Sequence, residues 1–181
     1  FIGAGALQLA VPLAHIALHE QVLRDGRAYR FVCAPVDPAD VFRGRYVAIE
    51  LAAASVTQQL DHALAERRWV VAPIEVGADG YAWFGRLSER PPHTGDWIRA
   101  RCRWAGKDVT VLQLPCDRFY LSESAAPDVE REYRRSIMRG ATGAPPVAVV
   151  RVSGGRAVVE DLELGGVPLR EWLRRRRTDP P

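Results

Sequence analysis

Residues able to do chemistry are few and scattered along this chain. Ser136, in Ser136-Ile137-Met138, is similar to a peptidase nucleophile, and such a serine needs a base whose pKa desolvation has lowered. The single lysine, Lys107, stands in Ala105-Gly106-Lys107-Asp108, a hairpin-turn sequence that leaves its ammonium in water. Ser136 falls on a charged helix as a surface hydroxyl. No enzyme activity is therefore expected; a membrane-bound serine hydrolase of the signal-peptidase type, with an unrecognised base, is the alternative. His15 and His19 stand four apart, on one helix face, where a pair can hold a metal or haem if other side chains complete the set. No third ligand stands at motif spacing, so no metal and no cofactor is expected, and the two histidines read as interfacial. His62 and His93 stand alone. Asp37 and Asp40 share a turn, Asp-Pro-Ala-Asp, whose carboxylates accept backbone N–H bonds. Glu160, Asp161 and Glu163 lie on a strand of alternating exposure that leaves Glu160 solvated. Three cysteines, Cys33, Cys102 and Cys116, lack CxxC spacing, which excludes a zinc ribbon or thioredoxin-type site. No phosphate-cradling glycine loop opens a helix; the glycines end hairpins.

Arginine is what remains. The chain carries 25 basic residues, all arginine except Lys107, against 22 carboxylates. A net charge of +3 is too small to argue for nucleic acid. Between Asp96 and Trp104 the pattern alternates: Ile98, Ala100, Cys102 and Trp104 face one way, and Arg99, Arg101 and Arg103 the other. Those three, with Arg43 and Arg45 around Gly44, are the candidate residues for an anion or a protein partner, whether anionic lipid headgroups or an acidic surface. Tyr81-Ala82-Trp83 and Trp97-Ile98-Arg99 could stack bases in a barrel, but a membrane tether argues against nucleic acid.

Elements must position these groups. With 48% apolar residues the chain suits one packed domain. Strands are expected near 27–36, 45–51, 69–76, 81–88, 96–104, 108–114, 117–121, 146–152 and 156–163, joined by hairpins at Gly77–Gly80, Ala105–Lys107 and Ser153–Gly155. The expected fold is mainly β (α+β): a mostly antiparallel barrel or sandwich over residues 23–168. Two short helices, Gln58–Arg68 and Asp128–Arg139, interrupt it. Phe1 to Leu18 holds no charge, and at 1.5 Å per residue it reaches roughly 27 Å, so residues 1–22 are expected to form a transmembrane anchor in membrane lipid. The Arg-rich tail 169–181 is expected to fray.

Val36-Asp37-Pro38-Ala39-Asp40-Val41-Phe42-Arg43-Gly44-Arg45-Tyr46-Val47-Ala48-Ile49-Glu50-Leu51 resembles the signature of the bacterial GDYXXLXY proteins. Arg118-Phe119-Tyr120-Leu121-Ser122-Glu123, followed by a charged helix and a hairpin, resembles that family's second half. Gly44, Tyr46, Arg118 and Glu123 carry the likeness. Arg45, Ile49 and Leu51 depart from it, and the charge reversal at Arg45 keeps any role of the family's carboxylate from being transferred. The resemblance implies architecture and membrane attachment. The expected function is thus a single-pass, membrane-anchored accessory or binding protein beside a membrane-protein partner, in the bacterial inner membrane, with its β-domain in the periplasm. An anionic lipid or polyanion binder is the further alternative.

Overall fold

The computed structural model describes residues 2–35, 46–58, 69–122, 124–139 and 143–178. Within them the chain forms α1 (Ile2–Asp25), β1 (Arg27–Ala34), β2 (Tyr46–Ala48), β3 (Glu50–Leu51), a 3-10 turn (Ala52–Ala54), β4 (Ser55–Val56), β5 (Val70–Val76) and β6 (Ala82–Phe84). There follow β7 (Trp97–Ala105), β8 (Thr110–Gln113), β9 (Arg118–Tyr120), α2 (Ala126–Arg139), β10 (Val147–Ser153), β11 (Arg156–Leu164), β12 (Val167–Pro168) and α3 (Leu169–Thr178). The expected helix at 58–68 and the turn at 37–40 fall outside the described residues, apart from Gln58.

Two five-stranded sheets, ordered β12-β11-β10-β1-β3 and β4-β8-β7-β5-β6, share one core, and a two-stranded ribbon, β2-β9, lies beside them. Every ladder among the described residues is antiparallel, as the turn-punctuated alternation requires. The inner faces meet where Phe31 of β1 packs on Phe84 of β6, ring centroids 5.4 Å apart. Tyr29 adds a polar tie: its hydroxyl donates to the Asp96 carboxylate at 2.7 Å, at the entrance to β7. At one seam the sheets also bond through the backbone. The β10–β11 turn, with Gly154 and Gly155 at φ 56° and 79°, is the expected glycine hairpin, and the Gly155 carbonyl accepts the Arg99 N–H at 2.9 Å. The result is a nearly closed, barrel-like β structure.

The N-terminal stretch does form a helix, but among the described residues no helix is long and apolar enough to cross a membrane. This corrects the expected transmembrane anchor. A spanning helix needs about 20 consecutive, predominantly apolar residues; α1 is continuous, but its apolar run is interrupted by Gln8, Pro12, His15, His19 and Glu20, and its last turn belongs to the domain. There Val22 is buried, and Gly26 follows so closely that a Cβ would sit 2.4 Å from the Val22 carbonyl. Arg151 of β10 locks the join. Its guanidinium donates to the Gly26 carbonyl at 2.9 Å and, in a two-point contact at 2.7 and 3.0 Å, to Glu160. Glu160, expected to be solvated, is the extra residue where the β10–β11 register shifts, and that bulge turns its carboxylate onto Arg151.

The two remaining helices cover the β-core through narrow apolar stripes. On α2, Val129, Tyr133 and Ser136 recur at helical spacing and are buried, so Ser136 is not the surface hydroxyl that its charged neighbours suggest. The tail expected to fray forms α3 instead, because Leu169, Trp172 and Leu173 pack on the core. Arg176 stacks on Trp172 at 4.9 Å and pairs with Asp128 of α2 at 3.2 Å.

The seam turn gives a test that separates strain from crowding. Gly80, at φ 79°, has no atom within 4 Å of a built Cβ, whereas a Cβ on Gly155, also at φ 79°, would meet the Trp97 ring at 2.3 Å. Gly80→Ala should cost about 1 kcal/mol, the strain alone. Gly155→Ala should cost that and a further overpacking penalty of about 1–3 kcal/mol, both read from chemical denaturation.

Candidate functional site

The family-like stretch is short and divided. Tyr46 to Ala48 pairs with β9 in the register Tyr46↔Tyr120, Val47↔Phe119 and Ala48↔Arg118. One residue later the chain switches partner, and β3 pairs with β1. Ile49 bridges the switch, its N–H donating to the Asp117 carbonyl at 2.9 Å. Val47, Ile49 and Leu51 are buried in the core, and Ala48, Ile49, Glu50 and Leu51 together line one side of a cleft. Tyr46 and Arg118 thus sit on the two strands of one ribbon. Arg43, Gly44, Arg45 and Glu123 lie outside the described residues.

The cleft has a volume of about 410 Å³, and its polar walls come from Glu50, Arg103, Gln113, Asp117 and Arg118, with Cys116 beside them. Arg118 lies 3.8 Å from Asp117. Arg103 arrives through a backbone irregularity. The β7–β8 register runs Arg101↔Gln113, Cys102↔Leu112, then Trp104↔Val111, which leaves Arg103 as an unpaired, bulged residue. A bulge breaks the two-residue alternation. Arg103 therefore lines the cleft beside Arg118, and Trp104, expected to face inward with Ile98, is 58% exposed.

The three arginines expected on one face are thus divided. Arg99 and Arg101 remain on the outer face of β7, and both guanidiniums lie over the indole of Trp69, at 5.3 and 4.5 Å from its centroid. The pairing Val70↔Ala100 puts Trp69 across from Arg101, which is how the ring comes to lie there. Neither guanidinium has an ion-pair partner among the described residues. Trp69 escaped the sequence reading because the strand register was needed to find it.

Among the described residues no assembled nucleophile accompanies these groups. Lys107 is exposed in its hairpin turn, and Ser136 is buried on the core-facing side of α2. All three cysteines are free, and their pKa values move in the direction that suppresses the thiolate. Burial pushes Cys33 up to about 12; burial, then the Asp117 carboxylate, pushes Cys116 up to about 12. Burial also raises Cys102, the packed thiol expected from its alternation. Tyr133, raised by burial first and the Cys33 thiol next, donates to the Ala34 carbonyl at 3.1 Å. His15 and His19 stack edge to face at 4.6 Å, both exposed. Among the described residues no group of three or more histidines, cysteines or carboxylates could hold a metal ion.

Comparison with known proteins gives one match. The family model described as GDYXXLXY protein matches residues 8–162, most of the chain. No curated protein and no solved structure is significantly similar to it.

The raised acids predict alkaline sensitivity. Cys33 and Cys116 rise from 9.0, and Tyr29 from 10.0, each to about 12, so the folded state holds these protons longer than the unfolded one. The stabilisation is whole below pH 9 and drains away as pH rises toward 12. Unfolding free energy measured across that range should fall with pH, and Cys116→Ala should flatten the fall. At pH 8 the native protein's Cys33 and Cys116 should resist iodoacetamide until denaturant is added.

Proposed function

We propose, from the premise that this chain belongs to the GDYXXLXY protein family, that it is a non-catalytic binding protein, an accessory subunit that docks on a larger protein through α1. One observation carries the reading: Val11, Leu13 and Ile16 of α1 are 67%, 62% and 58% exposed. Leu13 and Ile16, three residues apart, share one face of the helix, and Val11 lies on another. Large apolar side chains left this exposed mark a surface that a partner covers. The Arg151 clamp fixes its base, so α1 is presented at a defined angle, ready for an apolar groove in a partner. The lack of any assembled nucleophile and base among the described residues supports binding over hydrolysis.

Leu13→Glu combined with Ile16→Glu tests this in the full chain. Both positions are exposed, so the thermal midpoint of the isolated protein should hold. Burying each side chain is worth about 2 kcal/mol, so affinity for the partner recovered by crosslinking at Val11 should drop about a hundredfold or more. A double variant that still assembles, or a wild-type chain that crosslinks to nothing in its native cells, overturns the proposal.

A further inference from the structure

The outer face of β7 is separate from α1 and points to a ligand of its own. Across β5, β7 and β8 the register sets Trp69, Arg101 and Gln113 in one row, with Arg99 two residues along β7. Guanidiniums stacked on an indole present a face to the ring and leave their N–H edges outward. Here two such edges project from one strand face, already restrained before any ligand arrives. A restrained fork is a bidentate receptor for carboxylate or phosphate.

Spacing and context choose between those anions. Two residues along a strand cover about 6.6 Å, the same repeat that an extended peptide gives to alternate side chains. Carboxylates at positions i and i+2 of such a peptide therefore match Arg99 and Arg101 one to one. A nucleic acid strand would want a bare aromatic ring for its bases. The Trp69 ring, 36% exposed, already has guanidinium groups over it at 5.3 and 4.5 Å from its centroid, which compete with a base for its face. An anionic membrane gains about 1 kcal/mol per basic residue, which two arginines cannot raise to firm attachment. With 25 basic residues against 22 acidic ones, the chain also lacks the broad field that gathers polyphosphates. We infer that the Arg99–Trp69–Arg101 face binds an extended acidic peptide segment bearing carboxylates on alternate residues.

The full chain should be titrated with a capped eight-residue peptide of alternating glutamate and threonine. A peptide of the same composition with its glutamates in one block, an octathymidylate and phosphatidylserine vesicles serve as the competing probes. The alternating peptide should bind most tightly, weaken with salt, and lose at least tenfold in affinity on Arg99→Gln with Arg101→Gln. Arg99→Lys with Arg101→Lys keeps the charge but removes the fork, and should abolish the preference for alternation over the block; it also serves should the glutamine variant not fold. Peptide binding that is unchanged in the variants overturns the inference. So does octathymidylate or vesicle binding that matches the peptide's and is lost in the same variants.

Discussion

A single backbone hydrogen bond, from the Arg99 N–H to the Gly155 carbonyl, decides the shape of the domain. It joins the two sheets through the backbone at a bridge between Ile98 and Gly155, where elsewhere the Phe31–Phe84 and Tyr29–Asp96 contacts join them through side chains. With it, the β10–β11 turn takes the place beside β7 that β8 has vacated, since the last β8 partner on that side is Gln113 against Arg101. The bond demands that the turn come very close, and the chain meets that demand with a glycine over which the Trp97 ring lies. One face of β7 is then fully inside, through Ile98 and Ala100, and the other is left to Arg99 and Arg101. The outer arginine face is a by-product of closing the seam.

Two β-bulges do the remaining placement. One frees Arg103 from the outer row and delivers it to the cleft beside Arg118; the other frees Glu160 to receive Arg151, which in turn holds the start of β1 to α1. In each case a charged side chain reaches its position because the ladder slips by one residue. A regular strand would have left both in water.

Those slips mark where the sequence stopped being readable. Alternation and glycine turns located most strands within two residues, because burial on one face writes a two-residue period directly into the chain; the strand expected at 81–88 stops at Phe84, and the one expected at 45–51 is split into β2 and β3. The same period, carried past Cys102, mistook Arg103 and Trp104 for outer and inner residues, since nothing local announces a bulge. Ser136 looked exposed because arginines flank it; its burial follows from the stripe it forms with Val129 and Tyr133. The arginine run from Arg174 onward hid Leu169, Trp172 and Leu173, an apolar edge sufficient to dock α3. At the other end, lack of charge was taken as fitness for lipid, yet Gln8, Pro12 and His15 interrupt what a spanning helix must keep continuous.

Chemistry and recognition call for opposite treatment of ionisable groups, and burial moves the thiols and phenols of this core away from neutrality while it moves the Asp161 carboxyl toward it. Catalysis shifts a pKa toward the working pH in a place that substrate can reach. Here Cys33, Tyr29 and Tyr133 are shifted by burial in the core, all away from neutrality. Cys116, the one such group beside the cleft, moves the same way, so its thiol is held protonated where a nucleophile would need it ionised. Arg99 and Arg101, exposed on β7, are guanidiniums, which stay charged at any physiological pH and can neither give nor take a proton. Fixed charge on a strand face and exposed apolar side chains on a helix anchored at its base are what the fold leaves outside once its core and its seam are closed.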